Sequence, residues 1–257
     1  MEEESSIKKI FELGNWYHSV AYKNIISKGT FDYTSIVHKM GFPSMENMSV
    51  LDVGCSDGFF SKYFIEEKKA SHSLGIDFNE YDDTIAFEVL DSYKNDYSEK
   101  YQEMNDYQKL ESEYKLLNLE NSNKFNLLKK VFNLNMEFQN GSIYDLEKFG
   151  AYDVTFCGSL LEHLRDPVTA IEQLYNATNK FCIIDISNSL QSIYTRFNLP
   201  LIRYTGAGGN FFHHSDNAIK LMMKTIGFKN LSTIKNYKIK IEKYGYYIPH
   251  SVVIGFK

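Results

Sequence analysis

Apolar positions along the chain fall into short runs, each closed by glycine, serine, asparagine or proline. Val50, Leu51 and Val53 form one such run, and it stops at Gly54-Cys55-Ser56-Asp57-Gly58. The period then changes. Phe60, Tyr63 and Phe64 fall on one face of a helix predicted from Phe59 to about Lys69, and Ser73–Asp77 resumes as a strand. A strand, turn, helix and strand in this order imply parallel pairing through a right-handed crossover. Further strand patterns lie at Met136–Gln139, Tyr152–Cys157, Phe181–Ile186, Leu231–Ile241 and Ser251–Phe256. Helices are predicted from Asp166-Pro167 to about Asn176, with proline in the first turn, and over Ser215–Ile226, stopped by Gly227. The alternation predicts an α/β fold: a doubly wound, mostly parallel, seven-stranded sheet of Rossmann-like type, its C-terminal edge an antiparallel hairpin.

Two segments lie outside this alternation. Residues 1–48 read as an N-terminal helical segment or lid, with helical patches at Ile7–Leu13 and Ile36–Met40. Residues 84–124 read as a helical insertion. Its polar part, Asp91–Lys124, has too little apolar periodicity for a core of its own and is expected on the surface. Five tyrosines on that charged background suit a partner face, and self-association is one use for it. The whole chain, 1–257, is read as one domain.

Composition narrows the class. A chain of 257 residues, 43% hydrophobic, can bury one large core. No apolar run is long enough to span a membrane, and the start MEEESSIKKI has no apolar leader. Cys55, Cys157 and Cys182 are widely spaced, which argues against disulfides or a zinc site and for a reducing, cytoplasmic setting. The net charge of −5 makes nucleic acid an unlikely partner. The exception is Lys220–Lys243, where seven lysines accompany one acid, Glu242, and this keeps tRNA in consideration.

The chemistry concentrates at Gly54–Gly58. The spacing acidic-x-Gly-x-x-x-Gly misses the Gly-x-Gly-x-x-Gly that seats a pyrophosphate, so NAD and FAD are disfavoured. It suits a ligand with an amino-acid end: Asp52 can face an ammonium group. Asp77 closes the second strand, where a carboxylate can accept both hydroxyls of a ribose.

These motifs resemble those of class I S-adenosylmethionine-dependent methyltransferases. DVGCSDGFF…GIDF is similar to the first two motifs of that family, NGSIYDL at 140–146 to the adenine-binding segment, and YDVTFCGSLLEHLRDP at 152–167 to the fourth-strand motif with its following helix. LGNWYHSV at 13–20 adds a resemblance to the subgroup of tRNA wobble-uridine (carboxy)methyltransferases and their small-molecule relatives. The resemblance implies S-adenosyl-L-methionine as cofactor, S-adenosyl-L-homocysteine as product, and contacts from Asp52, Gly54, Ser56, Gly58, Asp77, Phe78, Ser142, Ile143, Gly158 and Ser159. The chain departs from the pattern at Ser56, where a glycine is usual, and at Ser142, where an acid often meets the adenine.

Methyl transfer needs an aligned acceptor and, for a hydroxyl or ammonium acceptor, a base. The candidates are His163, with Glu162 beside it, then His213 or His214 after the loop Gly206-Ala207-Gly208-Gly209, then Tyr17 and His18 in the N-terminal segment. No metal is expected, because no HxH or HExxH spacing occurs. The acceptor is read as a small polar molecule methylated on oxygen or nitrogen, plausibly a sugar or cell-surface glycan precursor. A tRNA-modifying enzyme and a non-catalytic cofactor-binding protein are the alternatives, and a nicotinamide oxidoreductase is more distant.

Overall fold

The computed structural model describes residues 11, 16–77, 121–187, 199–207, 209–241 and 245–257. Most of the insertion, all of the N-terminal helical patch except Phe11, and the cofactor candidate Phe78 lie outside the described residues.

The central unit is β5 (Ser49–Val53), α1 (Phe59–Glu66) and β6 (His72–Asp77). Val50, Leu51 and Val53 are buried on both faces, as a central parallel strand requires. β7 (Met136–Asn140), β8 (Tyr152–Gly158) and β9 (Thr178–Ser187) extend the parallel sheet. The antiparallel strands β12 (Lys229–Ile241) and β13 (Tyr247–Phe256) follow on the β9 side, as the pattern predicts.

Among the described residues the sheet has nine strands rather than seven, and with β1 (Trp16–His18) and β4 (Gly29–Asp32) at one edge the order is β1-β4-β12-β13-β9-β8-β5-β6-β7. The additional pair comes from the segment expected to be helical. β1 and β4 join the β12 edge, and β2 (Val20–Tyr22) pairs with β3 (Ile25–Ser27) in a small hairpin. Strands of three or four residues are too short to display a period of two. The second helical patch is present as a 3-10 turn at Val37–Met40.

Side-chain alternation divides the core into two layers. Along β9, Phe181 and Ile183 face a layer with Trp16, Phe60, Phe64 and Phe156, while Cys182, Ile184 and Ile186 face Leu51, Ile171, Leu174 and Met223. Much of the aromatic excess sits in the first layer, where the Phe42, Phe60, Phe64 and Phe156 rings meet with centroids 4.6–6.3 Å apart. The second layer is covered by α3 (Pro167–Asn176) and α4 (Asp216–Ile226). Both start at caps readable in the sequence: Asp166 accepts from Thr169 N at 3.0 Å, and Ser215 accepts from Ala218 N at 3.2 Å.

The insertion does not end at a surface boundary. Residues 121–124 open α2 (Asn121–Phe132), whose Phe125 and Leu128 are fully buried. Phe125 lies where no side chain on Gly58 or Gly75 would fit: a Cβ on Gly58 would stand 2.6 Å from its ring, and one on Gly75 2.4 Å. The helix after the insertion thus props the glycine turn from below. Phe125→Ala should lower unfolding free energy in urea by about 3–5 kcal/mol. A loss under about 1 kcal/mol would show that the turn stands without that prop.

Candidate active site

The turn after β5 is held in left-handed backbone at Gly54 (φ 77°), Ser56 (φ 48°) and Gly58 (φ 86°). Gly54 N and Cys55 N donate to Ile76 O at 2.8 and 3.2 Å, which ties the turn to β6. Ser56 bears a side chain in a conformation that favours glycine. Its N–H donates to Asp77 Oδ2 at 2.6 Å, so Asp77 fixes the turn.

Asp52 is buried beneath the turn. Oδ2 accepts from Ser61 Oγ at 2.7 Å, and Ser73 Oγ donates to Ser61 Oγ at 2.9 Å. Oδ1 has no protein partner among the described residues. Burial, only partly offset by the Ser61 hydrogen bond and by His18, pushes the carboxyl up to about 7.

Asp57, at the tip of the turn, is fully buried. Its carboxylate accepts from His18 N at 2.8 Å, holds His18 Nδ1 at 2.6 Å and takes Phe59 N at 3.4 Å. Burial pushes Asp57 up, but the His18 charge and hydrogen bonds and the nearby Lys124 outweigh it, and the carboxyl ends below its ordinary value. The His18 ring lies among Tyr33, Phe59 and Phe60. Tyr17, pointing the other way on β1, is 39% exposed and packs on Phe31.

On the β7 side, Ser142 Oγ accepts from Tyr144 N at 3.2 Å and opens a 3-10 segment at Ile143–Phe149, with Ile143 buried. On the β8 side, Gly158 ends the strand and Ser159 follows it, again left-handed (φ 47°).

The 3-10 turn Leu161–His163 comes next. His163 Nδ1 lies 2.7 Å from Gly209 O. A carbonyl only accepts, so Nδ1 carries the proton, and in the neutral ring Nε2 keeps the lone pair. Gly209 sits in the connection between β10 (Ile202–Ala207) and β11 (Asn210–His214), a hairpin where the sequence suggested a flexible loop. Neighbouring strand positions point oppositely, so His213 and His214 diverge. Burial lowers His213, while Glu162 pulls it back up; burial takes the fully enclosed His214 down to about 4. The candidates therefore separate: His163 and His213 share the Glu162 neighbourhood, whereas His18 belongs to Asp57.

A cluster not foreseen lies between these groups. Asp185, near the end of β9, is buried and accepts from the Tyr237 hydroxyl. His250 Nδ1 lies 3.2 Å from each of its oxygens, and Ser159 Oγ donates to Oδ2 at 3.4 Å. Tyr33 completes it: burial, then Asp185, raise its hydroxyl well above the usual tyrosine value, and Ser159 hydrogen-bonds it. The available signal was a lone carboxylate interrupting the apolar run Phe181-Cys182-Ile183-Ile184.

The methyltransferase domain family model matches residues 29–233, and the chain belongs to that family. It is a class I S-adenosylmethionine-dependent methyltransferase, with S-adenosylhomocysteine as the product. None of the curated proteins matches it in sequence. Similar solved structures include the N-terminal domain of EvdMO1 with SAH and D-fucose (TM-score 0.57, 12% identity, covering 100% of this chain and 97% of that one). The 1,6-didemethyltoxoflavin-N1-methyltransferase of Burkholderia thailandensis, with its substrate and S-adenosylhomocysteine bound, has TM-score 0.50 and 11% identity over 82% of this chain and 72% of that one. A Haloferax volcanii putative methyltransferase in complex with the Trm112 activator has TM-score 0.51 and 10% identity over 87% and 89%.

The Asp57 pair predicts acid sensitivity of a defined sign. A carboxyl with a depressed folded value stabilises the protein above the ordinary carboxylate range, and that stability is lost as pH falls through the folded value. Wild type should therefore exceed Asp57→Asn in melting temperature at pH 7, and the gap should close on acidification below about 4. A gap independent of pH would show that shape, not charge, accounts for the difference.

Proposed function

We propose that this methyltransferase acts on a hydroxyl or amino group of a small polar acceptor, with His163 Nε2 as the base. The observation that carries this reading is the His163 Nδ1 bond to Gly209 O, which leaves Nε2 with the lone pair directly after the β8 turn. The EvdMO1 domain, solved with SAH and D-fucose, supports a sugar-like acceptor, and the toxoflavin N-methyltransferase supports small ring acceptors more broadly.

The residues present fit the cofactor. S-adenosylmethionine, when bound, supplies a methyl group on a cationic sulfur. Asp52, with one buried oxygen unpartnered, is assigned to the ammonium end, and Gly54, Ser56 and Gly58 to the close backbone approach. Asp77 is assigned to the ribose, Ser142 and Ile143 to the adenine, and Gly158 and Ser159 to the methionine end. The strands of the N-terminal segment are assigned to one wall of the cleft, with Tyr17 at its rim. Among the described residues no helix is long and apolar enough to cross a membrane, and we place the enzyme in the cytoplasm, where three buried free thiols stay reduced.

A tRNA-modifying role is the second reading, favoured by the exposed Lys224, Lys229 and Lys238 on α4 and β12. Incubating the protein with methyl-labelled S-adenosylmethionine and separated metabolite and RNA fractions decides between them. Label in RNA alone, with steeply salt-dependent binding, would overturn the small-acceptor reading.

Two further outcomes are expected. Asp52 is half protonated near pH 7 in the free protein, and an ammonium partner favours the charged form. Binding of S-adenosylhomocysteine at pH 6 should then release a proton, read by calorimetry as a heat that changes with the ionisation enthalpy of the buffer. A heat independent of the buffer would remove Asp52 from the ammonium contact. His163→Ala should lower kcat by about 10²-fold or more with S-adenosylhomocysteine affinity unchanged. Full turnover in that variant would transfer the role to His213.

A further inference from the structure

The parallel pair β8 and β9 is apolar through its middle, where Val154, Phe156 and Cys157 stand in register with Phe181, Ile183 and Ile184. Its character changes at the carboxyl end. Gly158, the last residue of β8, is in register with Asp185 of β9. Three donors converge on the buried Asp185 carboxylate: the Tyr237 hydroxyl from β12, His250 Nδ1 from β13 at 3.2 Å from each oxygen, and Ser159 Oγ at 3.4 Å. A carboxylate only accepts, so His250 carries its proton on Nδ1. The Asp185 carbonyl also accepts from Ser159 N at 2.9 Å. Ser159 is thus tied to one residue twice, through the backbone and through the side chain. It holds left-handed backbone without being a glycine, a conformation that needs such support.

We infer that Asp185 is a positioning residue for the methionine end of the cofactor, acting through the Ser159 turn, and that Tyr33 completes this device from the N-terminal segment. The inference rests on the methyl-transfer reading, which assigns Gly158 and Ser159 to that end of the cofactor. In open α/β sheets ligands meet the carboxyl ends of the strands, and Asp185 stands at that end of β9. A buried carboxylate is a poor source of stability, since apolar residues of similar volume often serve as well or better. What a fully satisfied buried network supplies is a single arrangement of its members.

Tyr33 is buried as well, and its hydroxyl is hydrogen-bonded to Ser159. The Ser159 hydrogen goes to Asp185, so Tyr33 donates and Ser159 Oγ accepts. Burial and the Asp185 charge hold the Tyr33 hydroxyl protonated, which preserves that donor. The Tyr33 ring lies 5.3 Å from the His18 ring, and His18 Nδ1 is bound to Asp57. A continuous series of contacts therefore runs from Asp57, in the turn after β5, to Asp185 behind the turn after β8. Its middle members, His18 and Tyr33, belong to the N-terminal segment.

Calorimetric titration with S-adenosylhomocysteine tests this without an acceptor. Ser159→Ala and Asp185→Asn should each weaken binding about tenfold, the size of one lost hydrogen bond to a charged group. Tyr33→Phe, which keeps the ring, should weaken it about threefold. Because Asp185 acts through Ser159, the variant carrying both Ser159→Ala and Asp185→Asn should bind no more weakly than the weaker of the two single variants. 5′-Methylthioadenosine, which lacks the amino-acid end, should bind every variant as tightly as wild type. Unchanged S-adenosylhomocysteine affinity in both Ser159→Ala and Tyr33→Phe would overturn the inference, even if Asp185→Asn failed to fold. So would losses that add in the double variant, or equal losses for the two ligands, since either would make the cluster a support of the fold alone. Failure of wild type to bind S-adenosylhomocysteine would sink the methyl-transfer reading together with the inference. Tight binding by wild type and by all the variants sinks the inference alone.

Discussion

The buried carboxylate of Asp57 is the constraint on which the cofactor end of the molecule depends. It stands at the tip of the turn after β5, fully enclosed, and must be compensated there because an unpaired buried charge costs several kcal/mol. Compensation comes from three directions. His18 supplies a backbone and a ring nitrogen from β1, Phe59 supplies the first N–H of α1, and Lys124 adds its charge from α2. One side chain thus joins the N-terminal strands, the first helix and the helix after the insertion to the same turn. Pulling any of them away leaves a charge in a dry place, so the turn has a defined neighbour on each side.

This also accounts for the additional strands at the sheet edge. β1 and β4 are too short to be stable alone, and among the described residues β4 meets β12 over Phe31 and Asp32. What holds them is the buried face of β1: the His18 pair with Asp57, and Trp16 beside it in the aromatic layer that also contains Tyr33. The acidic residue in the Gly-Cys-Ser-Asp-Gly run is therefore structural in a way its position in a cofactor motif conceals.

Legibility in the sequence followed the range of the interactions. The β5-turn-α1-β6 unit, the parallel strands, the C-terminal hairpin and the helices begun at Asp166 and Ser215 depend on local periodicity and caps, and these were readable. The edge strands were not, since their pairing is set by Asp57, tens of residues away. The insertion boundary at 124 falls inside α2 for a similar reason. Its Phe125 is buried against two glycines on other elements, Gly58 and Gly75, a fit that no window of sequence displays. The histidines were singled out individually, but which of them share a neighbourhood is a tertiary fact. Only Glu162, beside His163 in sequence, connected the two levels. Asp185 appeared as a mere interruption of an apolar strand, because Tyr237 and His250, its partners, lie on strands at the far end of the chain.

The two turns that bound the cleft repeat one device. Ser56 follows β5 and Ser159 follows β8, adjacent parallel strands, and both serines hold left-handed backbone that costs a residue with a side chain about 1–2 kcal/mol. Each is restrained by an aspartate near the end of the next strand outward. Asp77 on β6 accepts the Ser56 N–H, while Asp185 on β9 accepts the Ser159 N–H through its carbonyl and the Ser159 hydroxyl through its carboxylate. Glycine would adopt either turn without strain but would leave it loose. A serine locked by a neighbouring carboxylate gives a turn with one conformation, at the cost of an acid that must remain charged or well hydrogen-bonded. The resulting sequence looks degenerate at the position where glycine is usual, yet its backbone is more firmly specified. Rigid turns on both sides of the switch in strand order leave the β10–β11 hairpin, anchored through His163 and Gly209, as the wall best placed to adjust to what is bound.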